Sequence, residues 1–480
     1  MTRVHPDSSV CFLLKEPDSN EIHVFLFVGK VRLLILIYIS TSFFLQFKLY
    51  NFNSENVKNT IEILSSDEYE GRLAGSPGCD AASSYIENTF KTLNLKPINS
   101  NYKESFDVVT PIPNKKTPYI IITSNGKVIH EYSYGTDFKE NMLSFKSSEA
   151  TFTKSDNVEI LTSSIIITQN NKKYLFKVNP TKDFSFRSSF NCNSEYEFCI
   201  NITTQLYNDI LDCLRNNCNV SVQIPYTTTI KPTSNIIGII KGKSDNLPPL
   251  ILTAHYDHIG VDSLGNYYDG ALDNASGTSF LLELSKNLSS LVKPQRDIIF
   301  VALTGEEFGL LGSKNFVSKH LNEIKNADVI NFDMIGAPNT PISFVIGTSA
   351  KELKDQNTSN TLKYLEDACS KNNLKYDVKI QDSSDHASFN NQGIDAITIC
   401  HSDLSKIHTP TDKIDYIDSS AIDHVYSIVQ KEIYNSSYNK FILILYNQSI
   451  TFIVVIIFIS IITIKNNKKL LKYFKRSKEC

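Results

Sequence analysis

The stretch Leu250 to Gly277, LILTAHYDHIGVDSLGNYYDGALDNASG, limits what this chain can fold into more than any other. Its opening run, Leu250 to Ala254, is apolar without alternation, the pattern of a strand buried on both faces. His255, Asp257 and His258 follow at once. A glycine-bearing loop then reaches Asp269 and Asp273, and a helical run, Thr278 to Leu288, comes next. A buried strand ending in His and Asp, with a further Asp at a helix start, is a layout suited to a divalent metal.

The 480 residues leave room for two or three units with sizeable cores. A net charge of -3 gives no electrostatic case for nucleic acid, and long basic runs occur only at the C-terminus. Nine cysteines are present without a CxxC spacing, so nothing points to a zinc ribbon. Cys192, Cys199, Cys213 and Cys218 lie close in sequence and are expected to form one or two disulfides if the chain is exported.

Export is expected from two apolar runs. Leu33 to Phe47, flanked by Lys30, Arg32 and Lys48, reads as a signal anchor or transmembrane segment behind an N-terminal tail, residues 1–32. Phe441 to Ile464 reads as a transmembrane helix, followed by a lysine-rich tail, residues 465–480, placed on the cytoplasmic side. The catalytic part would then lie outside the cytoplasm, where Asn201, Asn219, Asn287 and Asn435 sit in glycosylation sequons.

Between these runs the pattern changes twice. Residues 50–110 carry amphipathic helical spacing, with Val57, Ile61 and Leu64 on one face and Ala82, Tyr85, Ile86 and Phe90 on another. Residues 111–229 carry short alternating runs separated by Asn, Ser and Lys, the signature of a small β-rich module, with a helix near Ile202 to Cys213. Residues 230–435 alternate strands and helices. Strands are predicted at Asn235–Ile240, Leu250–Ala254, Asp297–Leu303, Val329–Phe332, Ile342–Ile346 and Ala396–Ile399. Helices are predicted at Gly277–Leu288, Gly309–Lys319, Thr361–Lys371 and Ser419–Ile433. The fold class is therefore α/β, a mixed and mostly parallel sheet with helices on both faces, plus the β-rich insert and two membrane segments.

Acid and histidine clusters follow the strand ends. TGEEFG, with Glu306 and Glu307, follows Asp297–Leu303; Asp333 follows Phe332; His401, His408 and Asp412 follow Ile399. In open α/β sheets the carboxyl edge of the strands forms the ligand crevice. Two His and three carboxylates there suit two divalent ions sharing a bridging carboxylate, able to bind a water and polarise a carbonyl together. Of two adjacent glutamates, one can bind metal while the other serves as general base. Asp257, two residues beyond His255, can accept the imidazole's other N–H.

HYD, LDNASG, TGEEFGLLGS, NFDMIG, SSDHASF and HTPTDKID, in that order, together with SSDEYEGRLAGSPG and SNIIGIIKG, resemble the dizinc aminopeptidase family that includes aminopeptidase Y and the bacterial leucyl aminopeptidases. The resemblance implies two zinc ions per chain. His255 and Asp333 would hold one, Glu307 and His408 the other, and Asp273 would bridge them. It makes Glu306 the general base, Asp257 the partner of His255, and Asp273–Asn274 a cis peptide. It places Asp385 and His386, beside Ser384, near the substrate pocket. Some relatives carry a Tyr directly before the last ligand His; here that position is Ile407. Residues 111–229 stand where many relatives carry a protease-associated domain.

The function expected is a membrane-anchored zinc aminopeptidase acting on peptides. A glutaminyl cyclase of the same fold, with one zinc, and a carboxypeptidase of the glutamate-carboxypeptidase type are the alternatives within the enzyme class. A receptor-like relative lacking activity is the alternative outside it; such proteins lose metal ligands, and all five ligand positions are filled here.

Overall fold

Strands that are apolar on both faces need cover on both sides, and this chain supplies it with helices. The computed structural model describes residues 19–49, 51–181, 183–350, 360–439, 444–445 and 447–476. Its main sheet has eight strands in the order Lys103–Pro113, Tyr226–Ile240, Ile298–Leu303, Leu250–His255, Asp328–Phe332, Asp395–His401, Ile342–Ile346, Tyr376–Ile380. The four central strands, from Ile298–Leu303 to Asp395–His401, are parallel to one another. Every residue of Leu250–His255 and Ile298–Leu303 is buried. The helix Gly277–Ser289 is buried along most of its length. Ile251, Val301 and Val329 share a core with Phe316 of the helix Leu311–Ile324.

This parallel alignment brings His255, the segment after Leu303, the segment after Phe332 and His401 to one edge. The mixed α/β class expected from the alternating pattern is the class found. Two strands escaped the pattern as named elements. Tyr376–Ile380 is an edge strand with little buried surface, and Lys103–Pro113 pairs antiparallel with Tyr226–Ile240 in a long ribbon.

That ribbon carries the chain out to the β-rich insert and back. The insert holds a four-stranded sheet, ordered Lys127–Tyr132, Tyr119–Ser124, Asn219–Gln223, Glu149–Phe152. It also holds a five-stranded sheet, ordered Phe138–Phe145, Tyr196–Ile202, Lys172–Val178, Ser164–Gln169, Asn157–Leu161. The helix Thr204–Arg215 starts at Thr203, whose hydroxyl accepts from the Leu206 amide. The insert does not keep a core of its own. One apolar cluster runs from Phe138, Phe176 and Phe198 to Ile259, Tyr268 and Phe308, which belong to the loops at the sheet edge. Residues 51–439 accordingly form one compact unit.

Several expectations need correction. Cys192, Cys199, Cys213 and Cys218 are free thiols, as are Cys79, Cys369 and Cys400, so the described residues contain no disulfide. Cys199 and Cys213 are instead buried, and Cys192 and Cys218 pack against the apolar cluster that holds Cys213. Asn287 has no exposed surface and cannot take a glycan in the folded chain.

The second unit comprises the terminal segments. Its helices are Ser19–Leu49, which begins well before the expected boundary at Leu33, and Gln448–Arg476. Among the described residues no helix is long and apolar enough to cross a membrane, so neither expected membrane segment is supported. The most apolar part of the second run, Ile450–Ile464, has fifteen residues and includes Thr451, Ser460 and Thr463. At about 1.5 Å per residue it reaches about 22 Å, against a hydrocarbon core of about 30 Å. The first run is broken by Ser40, Thr41, Ser42 and Gln46, and Gln46 donates to Ser42 and to Thr451. Residues 441–443, 446 and 477–480 of the second run and its tail lie outside the described residues, as does most of the N-terminal tail.

Candidate metal centre

His255 is the last residue of its strand. Its Nδ1 lies 3.2 Å from the carbonyl of Asp257, which fixes the N–H on that nitrogen. Nε2 is left facing Asp333 Oδ1 at 3.4 Å and Asp273 Oδ1 at 3.7 Å. The carboxylate of Asp257 is 3.7 Å from the ring, too far for the hydrogen bond expected from the sequence. It is used differently: Oδ1 accepts from the amide of Glu306 and Oδ2 from the amide of Glu307, both at 3.3 Å. Asp257 therefore aims the glutamate pair, and its backbone orients the histidine.

Asp273 stands in a tight turn, Ala271–Ser276, entered through Gly270 in the left-handed region. The amides of Leu272 and Asp273 donate to the carboxylate of Asp412 at 2.8 and 2.9 Å. The Asp273–Asn274 bond is cis, as the family resemblance implies. Asn274 then ties this turn to the next strand: its amide nitrogen donates to the Phe332 carbonyl, and its oxygen accepts from the Met334 amide. Asp333 is held from the far side by Ser384, whose hydroxyl donates to Oδ2 at 2.8 Å.

Two groups result. His255, Glu306 and Asp333 form one; His258, Asp273, Glu307 and His408 form the other, and within each the ligand atoms lie within 4.8 Å of one another. Asp273 stands between them. Its Oδ1 faces His255, while its Oδ2 faces His408 Nε2 at 3.2 Å and His258 Nδ1 at 3.7 Å. Glu307 Oε1 is 3.0 Å from His408 Nε2 and 3.3 Å from His258 Nδ1. Glu307 is almost fully enclosed, whereas Glu306 keeps partial exposure.

The electrostatics are those of charge crowded into a buried space. Burial lowers the affinity of His255 for a proton, but Asp333 and Glu306 overcome it and hold its pKa well above the imidazole norm. Burial likewise opposes charge on His408, and Glu307 and Asp273 reverse the effect. Burial raises the Glu306 carboxyl well above its ordinary value, with Glu307, Asp385 and Asp333 adding to the rise and His255 opposing it. Glu307 goes the other way: His408 and His258 outweigh its burial.

Four carboxylates and three imidazoles enclosed together are costly unless a cation compensates them. Glu307 Oε1 and both ring nitrogens of His258 have no hydrogen-bond partner. Donors of this kind, N and O only, suit a borderline divalent ion. The residues present therefore fit a metal.

Comparison with known proteins agrees. Residues 235–433 match the model of peptidase family M28. This part of the chain is an M28 peptidase domain. The chain is 31% identical to aminopeptidase YwaD of Bacillus subtilis over 223 residues, covering 43% of this chain and 46% of that protein. It is 32% identical to mouse aminopeptidase NAALADL1 over 155 residues, 29% of this chain and 20% of that protein. The chain thus spans less than half the length of these curated relatives. In structure it is similar to an aminopeptidase from Aneurinibacillus sp. strain AM-1, with TM-score 0.60 and 21% identity, covering 81% of this chain and 95% of that one. It is also similar to a zinc aminopeptidase from Bacillus subtilis, with TM-score 0.54 and 19% identity, covering 81% and 96%.

The M28 domain brings together His255, Asp273, Glu306, Glu307, Asp333 and His408, with Asp257 behind the glutamates. Asp269 stands apart, bound to Lys413. Asp385 and His386, expected near the substrate pocket, are both buried. His386 has both ring nitrogens engaged, by Thr398 and the Gln381 carbonyl. Asp385 has no exposed surface; burial pushes its carboxyl up to about 7 against the pull of His255.

Three contributors have no assigned role in the sequence reading. His258, named there but given no part in the ligand set, lies within the second group. Arg72, fully buried, donates to the carbonyls of Leu64, Tyr256, Asp269 and Gly270 and so clamps both ends of the HYD loop. The insert supplies a segment around Ser189. Ser189 donates to Glu307 Oε2 at 2.7 Å, the Arg187 carbonyl accepts from His408 Nδ1 at 3.0 Å, and the Phe186 ring stacks on His408 at 5.8 Å. The adjacency of His258 to the HYD motif was a usable signal; nothing in the sequence of residues 185–190 announced its destination.

Proposed function

We propose that this protein is a zinc-dependent aminopeptidase that removes N-terminal residues from peptides, using two zinc ions per chain. The observation that carries the reading is the position of Asp273, one oxygen toward each of two ligand groups at a single sheet edge. Relatives named as aminopeptidases and zinc metalloproteases support it.

When bound, such a pair of ions would polarise a scissile carbonyl and make a bound water acidic. Glu306, partly exposed beside His255 and Asp333, takes the water's proton and delivers it to the leaving amine. Asp257 holds Glu306 and Glu307 in their separate directions. Asp333 and Glu306 provide the negative charge that would meet a substrate's terminal ammonium. Ile407 stands directly before His408 and offers no hydroxyl, and Phe186, half exposed, stacks on the His408 ring.

The test is a panel of aminoacyl fluorogenic substrates, N-terminally blocked peptides and N-terminal glutaminyl peptides, with and without chelator. Release of unblocked N-terminal residues, abolished by chelator and restored by zinc, is expected. Hydrolysis from the C-terminus, or cyclisation without hydrolysis, would replace this reading with one of its relatives.

We further propose that the catalytic unit works attached to a membrane, on its extracytoplasmic side. Exposed Leu33, Leu34, Phe43, Phe452, Ile456 and Ile459 on the terminal helices support attachment. Recovery in a carbonate-washed membrane pellet, with the catalytic unit cleaved by protease added outside intact cells, tests both parts.

A further inference from the structure

His258 has no role in the reaction as derived so far. Its side chain is fully buried, and neither ring nitrogen has a hydrogen-bond partner. A buried polar group left this way is costly and calls for a physical reason. The ring is not free to turn away. Gly270, at φ +57°, packs on its face so closely that a Cβ there would stand 2.5 Å from Cδ2 and 2.6 Å from Cγ. The His258 amide donates to the carbonyl of Arg72, which anchors the backbone. So held, Nδ1 points among the ligand atoms of the second group, 3.3 Å from Glu307 Oε1 and 3.7 Å from Asp273 Oδ2. Its ring meets that of His408 edge-on, with centroids 5.6 Å apart.

We infer that His258 is a direct ligand of the metal position formed by Asp273, Glu307 and His408, which makes the two positions chemically unequal. The inference rests on the zinc reading proposed above. With His258, the second position offers two imidazoles and two carboxylates, a complete tetrahedral set for zinc. The first offers one imidazole, Asp333 and the shared Asp273, so it keeps an open place beside Glu306. Closed sets belong to structural zinc, open sets to catalytic zinc. The second position is therefore the tighter anchor, and the first is where substrate and water exchange.

The test uses the full chain stripped of metal and titrated with Co2+ against a competing chelator, followed by d–d absorption, for the native protein and His258→Gln. Two steps of unequal affinity are expected in the native protein. In the variant the tighter step should weaken by more than about 100-fold, the upper end of what losing a mere supporting contact produces, while the other persists. A metal-free variant that melts like the native metal-free protein and shows both steps unchanged overturns the inference. If the variant does not fold, histidine-15N spectra of the native protein decide. Ring nitrogens of three imidazoles shifting on zinc loading supports direct ligation, and two overturns it. A native protein that binds no metal overturns the zinc reading as well.

Discussion

The hydroxyl of Ser189, in the β-rich insert, donates a 2.7 Å hydrogen bond to Oε2 of Glu307, at the centre of the M28 domain. Oε1 of the same carboxylate faces His408 and His258. The bond therefore selects which oxygen is presented to the second group, and it crosses from one module of the chain to another. Supporting contacts of this kind typically hold 10–100-fold of metal affinity or activity. Ser189→Ala should lower affinity at that position by about 10-fold or more, and Ser189→Thr should restore much of it. Chelator competition on both variants measures the effect; an unchanged Ser189→Ala profile would make the contact incidental.

Glu306 differs from its neighbour in exposure and in the direction of its pKa shift. If it moves the proton and Glu307 binds metal, the two substitutions separate. Glu306→Gln should retain metal and lose about 10²–10⁴-fold in kcat. Glu307→Gln should lose metal first. Metal content by mass spectrometry beside single-substrate kinetics distinguishes them.

Protons and metal compete for the same imidazoles. Burial depresses the pKa of His255 and His408, but the surrounding carboxylates raise both well above the usual value. A raised folded-state pKa means the protonated form is already favoured at pH values where free imidazole is neutral. Metal affinity should therefore fall as pH drops, starting above the pH at which an unperturbed histidine would begin to protonate. Zinc titrations at a series of pH values test the sign; affinity independent of pH through the neutral range would contradict it.

The sequence was readable where chemistry sits beside regular structure. The buried run before His255, the glutamates after Leu303 and the aspartate after Phe332 all announce themselves, because an apolar strand fixes where its polar sequel must emerge. It was less readable where a residue acts through the backbone of another segment. Asp257 looked like the partner of an imidazole and turned out to hold two amides. The partners of His386, Thr398 and the Gln381 carbonyl, likewise could not be read from its neighbours in sequence. Ser189 lies in a loop with no periodicity, so its destination depends on the packing of Phe138, Phe198 and Tyr268 in a shared core. The terminal apolar runs read as spans from their apolar length and flanking charges, yet among the described residues no helix is long and apolar enough to cross a membrane.

Arg72 illustrates the same point with a larger consequence. Its guanidinium donates to four backbone carbonyls, on three separate segments, with no exposed surface. Removing it would take a donor from each of these carbonyls; that of Gly270 keeps the Ala275 amide, and each of the others left dry costs roughly 1–3 kcal/mol. Arg72→Met should destabilise the fold by about 3 kcal/mol or more and lower metal affinity at both positions, since the loop carrying His258 and the turn carrying Asp273 lose a common anchor. Urea unfolding of the metal-free protein isolates the first effect from the second.

The last prediction concerns stability away from the site. Glu432, on the helix Ser419–Ser437, is buried, and its Oε2 has no hydrogen-bond partner. Burial pushes its pKa up to about 7, Asp328 and Asp395 add to the rise, and Arg296, occupied at 2.5 Å by Asp328, only partly offsets it. A carboxyl whose folded pKa exceeds its unfolded value binds protons more readily in the folded state. It imposes no cost below the unfolded value of 4.5, a growing cost between 4.5 and about 7, and the full cost above that. The gap corresponds to roughly 3 kcal/mol at most. Glu432→Gln keeps the shape and removes the charge, so it should melt with the native protein near pH 4 and above it near pH 8, with a gain on the order of 2 kcal/mol. Melting curves of both proteins at the two pH values decide the matter, because a gain of the same size at each pH would trace the effect to packing and not to the buried charge.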